Sequence, residues 1–269
     1  MEMDTITDVP CSQSGRLRFP MAFLTSHELE RYDRQIRIAE IGKGGQEKLK
    51  KARVFIAGAG GLGSPISIYL AAAGVGAIRI VDRDRVDASN LNRQVLHWND
   101  DIGRTKADSA RAKLARLNPA IGMEAICDTI TPENVAHLVA DFDLIVDAMD
   151  NLPTRYLLNK TAIEKNIPFF HGAVHGFEGR AMTVIPGKTA CLRCMYRGPI
   201  PEETFPVIGV APAVIGSIQA TEVIKWIVGI GALLENRMLV YDGLAMRFTE
   251  FRIQKNPGCD HCADTSGKD

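Results

Sequence analysis

Residues 58–63 read GAGGLG directly after the apolar run VFIA. Gly58, Gly60 and Gly63 have the spacing with which a backbone turns tightly, approaches a phosphate and opens a helix whose first amides face the anion; Gly61 lies inside the same loop. Asp82 follows at about the twenty-residue separation at which an acidic side chain takes ribose hydroxyls. These residues name a ligand class and not a reaction, because a nicotinamide dinucleotide and a nucleoside triphosphate share them. A triphosphate brings about four negative charges and asks for several cations and a metal. The chain offers Arg93 in SNLNRQ beside Ser89 and Asn90, Lys106 at the head of a basic stretch, and Arg34 in RYDRQI. Each alone reads as a solvated basic side chain, and only their grouping with the glycine loop raises them above that. DLIVDAMDNLPTR adds Asp147 and Asp150, then Asn151 and Arg155. Carboxylates at the carboxyl end of a parallel strand face a ligand crevice, where Mg2+ would bridge carboxylate and phosphate oxygens. The competing reading is that Asp150 or Asn151 caps the following helix.

Four cysteines form the clearest metal constellation, Cys191-Leu-Arg-Cys194 and Cys259-Asp-His-Cys262. Their separation is longer than in a compact zinc ribbon, yet four thiolates suit a closed tetrahedral Zn2+ of structural type. Two redox pairs are the alternative, disfavoured because neither knuckle opens a helix after a strand. His261 is a weaker ligand candidate than the cysteines. Cys11 reads as a tail residue and Cys127 as a strand residue. A Walker loop is excluded, since none of Gly42-Lys43, Gly187-Lys188 and Gly267-Lys268 carries the preceding glycine that loop requires. His97, His171 and His175 read as loop or strand-end residues without a catalytic role.

These groups must be positioned by a chain of 269 residues, long enough for one large α/β domain or two small ones. Its 32 basic and 32 acidic side chains cancel, so no overall field draws it to nucleic acid or an anionic membrane. Residues 1–25 read as a tail without a signal sequence, which with the cysteine spacing points to a reducing, cytoplasmic setting. Residues 26–52 suggest two short helices interrupted by Gly42, Gly44 and Gly45. Strands RVFIAG and AIRIVD flank a helix over 64–73, making one βαβ unit. Helices over 104–118, 132–139 and 152–166 alternate with strands GMEAICD, DLIVDAMD and IPFFHGA. GRAMTVIPG, RMLVYDG and RFTEFRIQ suggest later antiparallel strands, and the apolar stretch 210–234, striped with Gln219, Glu222 and Lys225, predicts a buried amphipathic helix and not a membrane span. The fold class is therefore α/β, a doubly wound, Rossmann-like, mostly parallel sheet with antiparallel C-terminal strands and a zinc-knuckle site, formed by one continuous domain over 26–269.

RYDRQI, GAGGLGS, VDRDRVDASNLNRQ, GRTKA, DAMDNLPTR and NPGCDHC, in this order between about residues 26 and 262, closely resemble the ubiquitin-activating superfamily. The match is to its bacterial ThiF, MoeB and HesA branch of adenylyltransferases for molybdopterin-synthase and thiamine sulfur carriers. The resemblance implies an enzyme that binds ATP and Mg2+, adenylates the C-terminal carboxylate of a small ubiquitin-like sulfur-carrier protein ending in Gly-Gly, and releases pyrophosphate. It places Gly61 by the phosphates, Asp82 on the ribose, Asn90, Arg93 and Lys106 on the phosphates, and Asp150 on the magnesium, with Ser89 and Asn151 among the nucleotide-binding residues and zinc on the four cysteines. Arg34 resembles the arginine that reaches into the neighbouring subunit's site, implying a homodimer. The chemistry agrees: the carboxylate nucleophile is already ionised at neutral pH, so cations and not a general base are required. Members that form a covalent cysteine intermediate carry a cysteine before the long apolar helix; here RGPIPEETFPVIGVAP has none, so the reaction is expected to stop at the acyl adenylate, with sulfur coming from a separate donor. No rhodanese domain is expected after Cys262.

Three rivals remain. An NAD-dependent oxidoreductase would use the glycines and Asp82 but leave Arg34, Arg93, Lys106 and DAMDN without a purpose. A non-catalytic scaffold for a ubiquitin-like protein is expected to have lost Asp150 or Arg93. A relative that modifies a tRNA base is disfavoured by the neutral charge and the complete cysteine set.

Overall fold

The computed structural model describes residues 23–195 and 206–263. Most of the tail, Cys11 and the 197–205 part of the cysteine-free loop lie outside the described residues. Three helices lead in, α1 (Ser26–Arg31), α2 (Asp33–Ile36) and α3 (Gly42–Lys51). Then β1 (Arg53–Ala57), α4 (Gly63–Ala73), β2 (Ala77–Val81), α5 (Lys106–Leu117) and β3 (Gly122–Ile126) build one half of the sheet, and α6 (Val135–Leu138), β4 (Leu144–Asp147), α7 (Leu152–Lys165) and β5 (Phe169–His175) the other. The chain continues through β6 (Glu178–Val184), α8 (Leu192–Met195), α9 (Val210–Val228), β7 (Arg237–Asp242) and β8 (Arg247–Arg252).

All eight strands form one sheet in the order β3-β2-β1-β4-β5-β6-β7-β8. Pairing is parallel from β3 to β5 and antiparallel from β5 to β8, as the sequence predicted. Strand periodicity sends alternate residues to opposite faces. On β1, Val54 and Ile56 pack under α4, α5 and α9 with Ile66, Leu70, Leu114, Ile215 and Val223, whereas Phe55 and Ala57 pack under α6 and α7 with Leu138, Ile145, Leu158 and Phe169. Each of the buried Val, Leu, Ile and Phe side chains among these is worth roughly 1.5–3 kcal/mol of transfer free energy. Both faces are therefore covered, which is why the parallel strands read as continuous apolar runs.

One expectation about the helices needs correction. Gly44 and Gly45 do not break a helix; they lie inside α3, which Gly42 begins. A Cβ at Gly45 would lie 2.9 Å from Cγ1 of Val228, so the glycine allows α3 to approach α9 closely. Helix α9 is buried as the sequence predicted, and most of its polar stripe with it. Gln219 and Glu222 are buried against the sheet: Gln219 Nε2 donates to the carbonyls of Asp147 (2.8 Å) and Phe170 (3.1 Å), and Glu222 Oε2 accepts from Thr183 Oγ1 (2.7 Å) and the Leu234 amide (2.6 Å). Among the described residues no helix is long and apolar enough to cross a membrane. Cys127 falls just past the end of β3 and is partly exposed.

Candidate active site

Chain order in the sheet reverses between β1 and β4, the switch point at which open α/β sheets hold ligands beyond their carboxyl ends. The glycine loop leaves β1 there, Asp82 leaves β2, and Asp150 leaves the segment after β4. The loop is packed so tightly that no side chain fits at Gly58 or Gly63. Gly58 has φ +101°, and a Cβ there would lie 2.7 Å from the Ala148 carbonyl oxygen; a Cβ on Gly63 would run into the carbonyl oxygen of Gly58. The Gly58 amide donates to Val81 and the Ala148 amide to Ala57, both at 2.9 Å, stitching the loop to β2 and to the segment after β4.

Asp82 is held with its carboxylate against this loop: Oδ2 accepts from the Ala59 amide and Oδ1 from the Asp84 amide, each at 2.8 Å. Burial raises its pKa above the ordinary carboxylate value, with the charge of Lys106 pulling the other way. Lys106, 6% exposed, is the first residue of α5, whose N-cap Thr105 accepts from the Asp108 amide; its Nζ donates to Asp84 Oδ2 at 2.9 Å. The polar loop between β2 and α5 folds back on itself through Val86 N–H to Arg104 (2.8 Å) and a bridge between Arg85 and Thr105. Within it, Asp87 caps a short turn over Ala88–Asn90, and Asn90 Oδ1 accepts from the Asp87 amide. Arg93 Nη1 donates to the Ser89 carbonyl (2.8 Å) and Asn92 Oδ1 (3.0 Å); its Nε and Nη2 make no hydrogen bond among the described residues. The sequence named Lys106 and Arg93 as cations, and the structure adds Asp84 as the partner that aims the lysine.

After β4, the helix cap falls to Asn151 and not to Asp150. Asp150 is exposed, and its one side-chain hydrogen bond among the described residues is from Asn151 Nδ2 at 3.4 Å, which leaves a hard oxygen donor of the kind Mg2+ takes. Asn151 is the N-cap of α7, its Oδ1 accepting from the Thr154 amide at 3.0 Å. Asp147, expected to face the crevice, is fully buried and structural. Its Oδ2 accepts from His171 Nδ1 at 2.7 Å and its Oδ1 from the Met149 amide at 3.0 Å, while Arg155 Nε lies 3.5 Å away and donates to the Met149 carbonyl at 3.1 Å. This network fixes the turn that presents Asp150. His171 is thus no strand-end bystander; burial lowers its pKa and keeps it neutral.

Two further residues went unread in the sequence. His97 is buried, with Nε2 donating to the Ala59 carbonyl at 2.8 Å and Nδ1 accepting from Ser109 Oγ at 2.9 Å, so it ties the glycine loop to α5. Burial lowers its pKa, consistent with a neutral ring in this role. Gln94, 5% exposed, makes no side-chain hydrogen bond among the described residues, although an unpaired buried amide costs about 1–3 kcal/mol. Its only signal was its place in SNLNRQ.

Arg34 is not brought to the glycine loop of its own chain. It lies on α2, between Tyr32, whose hydroxyl accepts from Asn118 Nδ2 (2.8 Å), and Gln35, which donates to the Ala73 carbonyl (2.8 Å) at the last turn of α4. The glycine loop is at the first turn of that helix, roughly 16 Å away at 1.5 Å per residue. Arg34 is exposed and makes no hydrogen bond or ion pair among the described residues.

In the core on the α6 and α7 face of the sheet, Cys191, Cys194, Cys259 and Cys262 are all buried, with sulfurs within 4.8 Å of one another. Neighbouring Sγ separations of 3.6 Å (Cys191 to Cys259), 3.4 Å (Cys194 to Cys262) and 3.9 Å (Cys191 to Cys194) match the edge of about 3.8 Å of a tetrahedral Zn–thiolate site. The donor set fits zinc. Burial pushes the Cys191 thiol up to about 11, and burial with its cysteine neighbours raises Cys262, so without a cation these two sulfurs favour the thiol form. His261 does not join the four converging sulfurs; its Nδ1 accepts from Asn159 Nδ2 (2.8 Å), whose Oδ1 accepts from the Leu192 amide (3.0 Å). The Asn256 amide donates to Cys194 Sγ at 3.4 Å. The cluster clamps the chain after β8 onto α7 and α8.

The ThiF family model matches residues 32–261. The sulfur carrier protein adenylyltransferase of Thermus thermophilus is 42% identical over 251 residues, covering 89% of this chain and 93% of that protein. The SAMP-activating enzyme E1 of Haloferax volcanii is 43% identical over 247 residues, covering 90% and 91%. The crystal structure of E. coli MccB with AMPCPP and MccA superposes with a TM-score of 0.80 at 25% identity, covering 90% of this chain and 75% of that one. With a family model spanning most of its length and relatives this similar aligned almost end to end, this chain belongs to the ThiF family.

Proposed function

We propose that this protein is an ATP-dependent adenylyltransferase that joins AMP to the C-terminal glycine carboxylate of a small ubiquitin-like sulfur-carrier protein and releases pyrophosphate. The observation that carries this reading is the convergence, at the switch point of the sheet, of the glycine loop, Asp82, Arg93, Lys106 and Asp150 in a chain of this family. In the proposed mechanism Asp82 takes the ribose hydroxyls through the lone pairs that its two backbone amides leave open. Arg93, through its unpaired Nε and Nη2, and Lys106 stabilise the charge that builds on the α-phosphate as the carrier carboxylate attacks. Asp150 would hold Mg2+, which when bound neutralises triphosphate charge. No proton transfer is needed, because the nucleophile is ionised and pyrophosphate departs as an anion. The four cysteines would hold a structural Zn2+ distant from this chemistry.

Arg34 supports a homodimer in the proposal. A free, exposed guanidinium set a helix length from its own glycine loop can complete the site of a second copy and not its own. The absence of cysteine from 197–212 supports a reaction that ends at the acyl adenylate, with a separate sulfur donor. Which pathway the carrier serves, molybdopterin or thiamine, turns on the carrier's identity. Labelled pyrophosphate exchange into ATP, run with candidate carriers ending in Gly-Gly, tests the proposal. Carrier-dependent exchange is expected; NAD binding without ATP binding would favour an oxidoreductase instead.

A further inference from the structure

Gln94 is buried, its Oε1 is fully shielded from solvent, and its carboxamide has no partner among the described residues. Its backbone is fixed: the amide donates to the Asn90 carbonyl (3.0 Å), its carbonyl accepts from the His97 amide (2.9 Å), and the His97 ring is anchored on the Ala59 carbonyl. The side chain is thereby aimed at the glycine loop. A Cβ on Gly60 would lie 3.6 Å from Gln94 Nε2 and 3.9 Å from its Cδ, with no backbone atom nearby. Gly60 is the position of the fingerprint whose missing side chain lets the backbone approach a phosphate, so Gln94 borders the space that this glycine leaves open. The preceding residue, Ala59, hydrogen-bonds Asp82, the ribose acid of the proposed function. The phosphate next to the ribose is the α-phosphate.

A primary amide carries two donors and one acceptor, and buried amides are almost always paired. One that is not, with its Nε2 turned to the edge of a nucleotide loop, is poised to donate to an anionic oxygen. Resting on the adenylation reading, we propose that Gln94 is a substrate-contacting residue whose Nε2 donates to a non-bridging α-phosphate oxygen. A carboxylate oxygen then forms its bond to the α-phosphorus, the α–β phosphoanhydride bond breaks, and pyrophosphate leaves with the electron pair. Arg93 and Lys106 supply charge to this step, whereas Gln94 supplies alignment.

The test uses the full chain as wild type, Gln94→Met and Gln94→Glu, with thermal unfolding, ATP binding and steady-state pyrophosphate exchange measured in parallel. Gln94→Met loses no native hydrogen bond, so its Tm is expected to equal or exceed that of wild type, while kcat for carrier-dependent exchange falls about 100-fold, the size of effect seen when one preorganised donor is removed. Gln94→Glu keeps the shape but sets an anion beside the phosphates, and is expected to lose ATP binding as well. Wild-type exchange in Gln94→Met, or a loss of activity that only tracks a fallen Tm, would overturn the assignment and leave the adenylation reading intact. A wild type that shows no carrier-dependent exchange would overturn both.

Discussion

Lys106 separates structural from catalytic cost better than any other residue of the site. Its side chain is 7% exposed and its Nζ meets Asp84 at 2.9 Å, but Asp84 is 51% exposed, so solvent screens the pair. Replacing Lys106 by methionine keeps most of the aliphatic stem, and the lost pair is then worth about 1 kcal/mol or less. For a chain of this size that lowers Tm by roughly 2–4 °C. Loss of a preorganised cation facing charge that builds in the transition state is a larger effect, about 2.7–4 kcal/mol, or 10²–10³-fold in rate. Lys106→Met is therefore expected to remain folded, with a Tm within a few degrees of wild type, and to lose pyrophosphate exchange by two to three orders of magnitude. Differential scanning calorimetry and exchange kinetics on the same preparation decide it. Near-normal exchange, or a rate that falls only in proportion to the folded fraction, would refute the placement of Lys106 on the phosphates.

The remaining predictions concern other parts of the molecule. Arg93→Ala alters a half-exposed side chain and is expected to change stability by less than about 0.5 kcal/mol while abolishing exchange, as stopped urea curves beside the kinetics would show. Glu28 and Lys50 are paired at 2.6 Å with both side chains 6% exposed, so Lys50→Met strands a buried carboxylate and should cost about 3–5 kcal/mol in urea unfolding. Burial raises Glu28 but its hydrogen bonds to Lys50 and Thr25 outweigh that and lower its pKa; its contribution is therefore present above the unfolded value of 4.5 and is lost as pH falls through the lower folded value. Asp82 has the opposite sign: with its pKa raised, the stability it contributes is present below 3.8 and is lost as pH rises through the folded value, while ribose binding gains the ionised form over that same window. ATP affinity titrated against pH should accordingly weaken on the acid side at a pH above that of an ordinary aspartate.

Much of this architecture was legible because local pattern and tertiary role agree. The apolar runs of β1, β2 and β4, the glycine spacing and the two Cys-x-x-Cys pairs each say in sequence what they do in space. What escaped reading depends on partners far apart in the chain. Asp147 looked like a crevice carboxylate because nothing local reveals that His171 hydrogen-bonds it and Arg155 pairs with it in the interior. Gly44 and Gly45 looked like breakers because their propensity is poor, and the approach of α3 to Val228, which requires a glycine, is invisible locally. The polar stripe of α9 finds its partners in carbonyls of β4 and β5, which nothing in its own stretch of sequence reveals. Arg34 was grouped with the glycine loop by sequence order, whereas Gln35 and Tyr32 fix its helix to the opposite end of α4.

Intact-mass spectrometry of a carrier protein ending in Gly-Gly, after incubation with this protein, ATP and Mg2+, tests the central claim most directly. The account predicts that the carrier gains the mass of one adenylyl group and that one pyrophosphate is released for each. An unmodified carrier with ADP and orthophosphate as products would contradict it, because that outcome places the cleavage at the γ-phosphate and not at the α-phosphate beside Asp82.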